Sequence, residues 1–195
     1  MENRPPGRVR EGRFTSRRST TGQRPEVPGT LSVGLVYTLR NATESDLGTL
    51  VQHRRAMWVE ITATEAKFAG IGPTELRDAD GRYHAWLLPK LRSREVIGCI
   101  ATAREVGPVA SGCLWYREEV PRPTRPQARM PYILSVFTEP THRRHGLGRD
   151  VTAALIDTVA REGYPKVRLN ASTLGEGLYR SMGFESSSER QLDLT

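Results

Sequence analysis

The sequence is short of the residues from which covalent staples, metal clusters and membrane anchors are made. It has two cysteines in 195 residues, Cys99 and Cys113. Two cannot build a disulfide framework, and they fall at no metal-ligand spacing with the four histidines His53, His84, His142 and His145. The simplest assignment is two small reduced core residues, which a hairpin would bring face to face in one register and not in another. No apolar run approaches the ~18–20 residues of a membrane-spanning helix. Arg17-Arg18 is followed by Ser19-Thr20-Thr21-Gly22 rather than by an apolar stretch, which argues against a twin-arginine export signal. The default compartment is therefore cytoplasmic, and no membrane partner is expected.

Negative charge is also in short supply: 22 Asp and Glu against 29 Lys and Arg, a net +7. The excess is uneven. Residues 1–34 hold seven arginines and three glutamates, so +4 of the charge sits there and the remaining 161 residues carry only +3. That segment is rich in Arg, Pro, Gly, Ser and Thr and nearly free of aliphatic side chains. It cannot bury enough apolar area to offset ordering entropy and is expected to be a disordered basic extension. The near-balanced remainder, with no interleaving of aromatic and basic residues, argues against a nucleic-acid partner. The chain's 37% hydrophobic residues are enough to fill a core, so residues 35–195 are read as one domain.

Periodicity divides that domain. Leu35 to Arg40 reads as a strand. Thr43, with Asp46 three residues on, caps a helix whose apolar face is Leu47, Leu50, Val51, Trp58 and Ile61. Gly70 to Pro73 ends it, and a second helix is expected from about Asp80 to Leu88, with Tyr83, Trp86 and Leu87 inward, stopping before Pro89. Glu95 to Arg104 and Val109 to Tyr116 are β-rich runs joined by a turn at Glu105 to Pro108. Glu118 to Arg129, with three prolines and three arginines, is a loop. Tyr132 to Phe137 is a strand buried on both faces. A helix follows with the stripe Leu147, Val151, Ala154, Leu155 and Val159, ended by Gly163 and Pro165. Val167 to Asn170 is a short strand, Gly177 to Met182 a short helix stopped by Gly183, and Gln191 to Leu194 a last strand. The pattern predicts an α/β layer structure around a mixed sheet.

One junction carries chemistry. A strand ends in Ser135-Val136-Phe137-Thr138-Glu139-Pro140, and Arg143-Arg144-His145-Gly146-Leu147-Gly148 opens a helix. Unpaired N–H groups and the positive end of the macrodipole meet there, and glycines let the backbone approach a bulky anion. The turn suits a phosphate or pyrophosphate. It lacks the Gly-Lys-Ser/Thr of a phosphate loop and is not Gly-x-Gly-x-x-Gly.

The spacing Arg-x-x-Gly-x-Gly resembles the pyrophosphate-binding signature of the GNAT N-acetyltransferase superfamily. So do the preceding strand and the following amphipathic helix. Leu178-Tyr179-Arg180-Ser181-Met182-Gly183-Phe184 is similar to the family's Leu-Tyr-x-x-x-Gly-Phe element, and Leu39-Arg40-Asn41-Ala42-Thr43 to a common family opening. The resemblance implies a largely antiparallel mixed sheet flanked by helices, with a parallel pair, Tyr132–Phe137 and Val167–Asn170, splayed to hold acetyl-CoA as cosubstrate. By that similarity Val136, Phe137 and Thr138 line the pantetheine arm. Arg143, Arg144, His145, Gly146, Leu147, Gly148 and Arg149 hold the pyrophosphate, with Asn170, Ser172 and Tyr179 towards the sulfur.

The implied activity is transfer of an acetyl group to a primary amine of a small molecule or peptide by direct attack. A backbone N–H, that of Val136, would serve as oxyanion donor and the Tyr179 phenol as acid for the leaving thiolate. Glu139, Glu60, His84 and Glu176 are candidate bases, and water can serve equally. Trp58, Glu60, the Gly70–Pro73 break and the arginine-bearing loop are the expected walls around the unidentified amine acceptor. No metal is implied, a homodimer is left open, and a catalytically silent acetyl-CoA-binding module is the competing reading.

Overall fold

A computed structural model describes residues 37–121, 123, 129–187 and 192. Residues 1–34, much of the Glu118–Arg129 loop and the expected Gln191–Leu194 strand, Leu192 apart, lie outside the described residues.

The chain enters through β1 (Tyr37–Asn41) and is turned by Asp46. The Asp46 carboxylate accepts the Thr43 N–H at 2.8 Å, the Thr43 hydroxyl at 3.0 Å and both Arg40 amino groups at 2.7 Å. These donors hold it far below the ordinary carboxylate range although it is only 6% exposed. They fix the entry to α1 (Leu47–Thr64), whose buried stripe is Leu47, Leu50, His53 and Ile61. A histidine thus stands where the sequence suggested Val51 and Trp58, both only partly buried.

The second helix, α2, runs Pro73–Arg92, seven residues earlier in its start and four later in its end than the sequence suggests. Both departures have local causes. Pro73 is preset for the first helical position, and the Gly72 N–H donates to Glu75 Oε2 at 3.1 Å. Pro89 sits in the last turn, where the lost N–H bond is followed by only three helical residues and Ser93 N–H closes the end on Pro89 O at 3.0 Å.

Strands β2 (Val96–Ala103), β3 (Gly107–Glu118) and β4 (Arg129–Thr138) extend the sheet antiparallel from β1, and β5 (Arg168–Leu169) joins β4 in parallel, giving the order β1-β2-β3-β4-β5. The hairpin turn is tighter than expected: Glu105 and Gly107 take positive φ, and Pro108 already lies opposite Thr102 within the ladder. The register also settles the cysteines. Cys99 lies opposite Gly112 and Cys113 opposite Gly98, and the two thiols enter different cores.

Those cores are the two faces of the sheet. Leu47, Leu50, Tyr83 and Leu87 cover Val96, Ile100 and Cys113. Helix α3 (Leu147–Arg161) lays Leu147, Val151, Leu155 and Val159 on Cys99, Ala101, Leu114 and Ile133 across the other. Helix α4 (Glu176–Ser181) follows β5 and ends at Gly183, φ 87°. The mixed sheet flanked by helices is the architecture expected from the sequence.

Candidate active site

The parallel strands β4 and β5 part almost at once. β5 pairs only Arg168 with Tyr132 and Leu169 with Ile133, so from Leu134 onward β4 has no strand partner on that side among the described residues. Backbone N–H and C=O groups need partners, and this free edge offers them to an extended ligand.

The free stretch is also kinked. Ser111 pairs with Phe137 and Cys113 with Leu134, so Ser135 and Val136 together oppose the single residue Gly112: a β-bulge with Ser135 at φ 55°. Bulges bend a strand and re-aim its groups, and a serine held at positive φ costs about 1 kcal/mol or more that the surroundings must offset. The bulge leaves Leu134 and Ser135 on the same face of the sheet, and alternation resumes beyond it. Ser135 and Phe137 face α1, where the Ser135 hydroxyl accepts from Arg54 and Phe137 stacks 5.4 Å from the His53 ring. Val136 and Thr138 face α3, near Gly112 and Gly148.

β4 runs directly into the glycine turn. Arg144 and Gly146 both adopt left-handed backbone, φ 64° and 83°, and Gly146 caps α3. Alternating backbone of this kind turns successive N–H groups to one side and suits an anion. Gly148 lies so close to Leu178 of α4 that an added Cβ would sit 3.3 Å from its Cδ2. Arg149 also reaches Ser181 at 2.5 Å, so α4 is tied to the start of α3.

The side chains named from the sequence divide into two groups. Gly146, Leu147 and Gly148 form the turn, Arg144 is exposed over it, and Val136, Phe137 and Thr138 lie on the free stretch of β4 leading to it. Arg143, in contrast, turns back: its Nε donates to Thr138 O at 3.0 Å, and its guanidinium pairs with Glu60 while lying 5.8 Å over Phe137. His145 Nδ1 contacts His142 O at 3.3 Å and its ring leans on Tyr37, whose hydroxyl meets His142 Nδ1 at 3.1 Å. Both histidines brace the turn.

Asn170 follows β5 and is exposed. Ser172 is occupied locally, its Oγ and carbonyl accepting the Gly175 N–H at the head of α4. Tyr179 is half-buried against Gly175 and edge-on to Phe184, and burial pushes its phenol up to about 12. Its hydroxyl has no hydrogen-bond partner among the described residues.

Of the candidate bases, Glu60 is paired with Arg143 and Glu176 with Arg180, while His84 is exposed on α2. Glu139 lies 3.7 Å from His53 Nε2. None of His53, Arg54 and Ser135 was among the site residues expected from the sequence. His53 Nδ1 bonds Ser111 Oγ at 2.9 Å, and burial lowers its pKa against the opposing pull of Glu139. The signal was present: His53 stands on the apolar stripe of α1, three residues after Leu50.

A split parallel pair, a bulged free edge and a glycine turn at a helix start are the features that the resemblance to N-acetyltransferases implies. A family model for the acetyltransferase (GNAT) family matches residues 50–184, and the chain belongs to that family. Among solved structures, a GCN5-related N-acetyltransferase from Ralstonia eutropha JMP134 is 26% identical, with a TM-score of 0.71 over 82% of this chain and 99% of that one. A predicted acetyltransferase with acetyl-CoA from Clostridium acetobutylicum is 25% identical, TM-score 0.70, over 82% and 96%. Glucosamine-6-phosphate N-acetyltransferase from Arabidopsis thaliana, 16% identical with a TM-score of 0.53 over 81% and 97%, shares the fold. No curated protein sequence matches the chain. No helix among the described residues is long and apolar enough to cross a membrane.

Proposed function

We propose that this protein transfers the acetyl group of acetyl-CoA to a primary amine by direct attack. The observation that carries the reading is the free, bulged edge of β4 running from Leu134 into the Arg143–Gly148 turn. An extended chain of amides can pair along that edge while its pyrophosphate reaches the N–H groups at the start of α3.

In this reading the backbone of Val136, Phe137 and Thr138 binds the pantetheine arm. The N–H groups from Arg144 to Arg149 bind the pyrophosphate, with the Arg144 side chain adding charge. Arg143 acts differently from a direct phosphate ligand: bound to Thr138 O and Glu60, it shapes the turn. Asn170, Ser172 and Tyr179 form the opposite wall.

The amine nitrogen attacks the thioester carbonyl carbon, and the C–O π electrons move onto oxygen. The Val136 N–H at the bulge stabilises that oxyanion. Collapse breaks the C–S bond, and the Tyr179 phenol gives its proton to the departing thiolate. A phenol raised to about 12 stays protonated at every working pH, so the donating form is the one present. The amine proton leaves to water or to Glu139, since Glu60 is held by Arg143.

Thiol release with acetyl-CoA and a panel of amines tests the reading, and Tyr179→Phe tests the acid. The variant is expected to keep its acetyl-CoA affinity and lose about 10²-fold in kcat, the lower end of what a positioned acid contributes. Tight acetyl-CoA binding with no thiol release from any amine would leave the binding-module reading standing instead.

A further inference from the structure

Among the described residues Arg54 has no counter-ion. Four described arginines are half-buried, and three have carboxylates: Arg55 with Asp80, Arg117 and Arg168 with Glu119. Arg54 has none among the described residues. From α1 it donates to Ser135 Oγ at 2.7 Å, across 81 residues of sequence. Its guanidinium lies 4.4 Å over the Tyr83 ring and 5.9 Å from that of Trp58.

A guanidinium taken partly out of water needs compensation. One hydroxyl and two aromatic faces supply part of it, but Ser135 engages only one of five N–H donors. Ser135 is the bulge residue, so these donors lie beside the point on β4 where the reading above places the thioester. They also lie on the α1 face, whereas the oxyanion donor belongs to the free backbone edge. The charge is thus placed for the acceptor rather than for the reacting carbonyl.

We infer that Arg54 binds a carboxylate of the acceptor, and hence that the amine acetylated here belongs to an amino-acid-like molecule. A monoanion matches a single uncompensated guanidinium. A phosphate dianion would call for a second cation, and Arg143, whose guanidinium lies over Phe137 of β4, is already paired with Glu60. The inference rests on the proposed transferase reading, but the site can be read without turnover.

Calorimetry on the full chain saturated with coenzyme A would compare N-acetylglycine, N-acetyl-β-alanine and N-acetylphenylalanine with their carboxamides and with N-acetylethanolamine phosphate. At least one carboxylate is expected to bind about tenfold or more tightly than its carboxamide, the range of a charge-assisted hydrogen bond. Arg54→Gln should bring that ratio to within about twofold of unity while the Kd for coenzyme A stays unchanged. Arg54→Lys, which keeps the charge and is the milder change, should retain part of the preference.

Equal binding of every carboxylate and its carboxamide overturns the inference. So does a preference confined to the phosphate, or an Arg54→Gln loss equal for both members of each pair, which would mark Arg54 as a support for the bulge. The free amines are assayed separately by thiol release. Arg54-dependent carboxylate binding with no acetylation would sustain this site and sink the transferase reading.

Discussion

Asp46 and His53 both sit in buried surroundings that oppose a change of charge, and they act over different pH ranges. The folded Asp46 carboxyl is held far below its unfolded value by Arg40 and Thr43. Its contribution to stability is therefore complete above about pH 4 and is lost as pH falls through lower values. His53 is lowered by burial, so the folded protein resists its protonation while the unfolded chain accepts a proton below about pH 6.5. Its contribution is complete above that pH and fades as pH falls towards the folded pKa. Acid should thus weaken the fold in two stages. Urea titrations at a series of pH values should show His53→Gln flattening the dependence as pH falls below about 6.5, with Asp46→Asn flattening it only below about pH 4. At pH 7, Asp46→Asn is expected to cost about 2 kcal/mol, the range of hydrogen bonds to a buried charge, or about 4–8 °C in Tm. An unchanged Tm would mean that the Arg40 pair and the Thr43 bonds contribute nothing net. The same reasoning applied to Tyr179 gives a kinetic expectation. Its phenol, at about 12, should leave no alkaline fall in kcat below pH 10, and a fall that vanishes in Tyr179→Phe would contradict that value.

Most elements were legible from their apolar period, because helix and strand stripes reflect which face meets the core. The α1 stripe through Leu47, Leu50 and Ile61 and the α3 stripe through Leu147, Val151, Leu155 and Val159 read directly. Ends were less legible: α2 starts early because Pro73 and Glu75 favour a first turn, and it passes Pro89 because the packing of Leu87 outweighs the lost N–H bond. The bulge was not legible at all. Nothing in Ser135 forecasts φ 55°, since the extra residue is imposed by pairing between β3 and β4 rather than by local preference. The glycine turn was visible as a motif, yet the inward pull of Arg143 by Glu60 joins positions 83 residues apart and leaves no local trace. Gly112 belongs to the same class of tertiary fact. An added Cβ there would meet Val151 Cγ1 at 2.8 Å, Val136 Cγ2 at 3.2 Å and Leu155 Cδ1 at 3.3 Å. Val side chains are stiff at χ1, so Gly112→Ala must push α3 off the sheet or shift the bulge. The expected cost is about 1–3 kcal/mol of overpacking, accompanied by weaker acetyl-CoA binding if Val136 lies on the edge proposed to bind it. Stability lost with the acetyl-CoA Kd unchanged would show that the bulge and α3 yield independently.

At the scale of the whole chain, charge and apolar content divide at the same place. Residues 1–34 carry +4 of the net +7, and residues 35–195 are close to balance. The family match, the sheet and every proposed site residue fall in the second part. If that part folds and binds on its own, a chain beginning at Leu35 should match the full chain in Tm to within about 1 °C, since the removed segment offers little apolar area to bury. Acetyl-CoA affinity is the sharper measure, because an anionic ligand would feel seven arginines if they lay within reach. At 0.15 M salt the screening length is about 8 Å, so arginines that do not contact the ligand directly should leave its Kd unchanged. Repeating the titration at about 0.02 M salt, where screening extends to roughly 20 Å, separates the two cases. A difference between the two chains that appears only at low salt is long-range attraction, which adds on-rate without adding a site. A difference that persists at 0.15 M would place some of those arginines on the ligand, and the domain boundary at residue 34 would have to be redrawn.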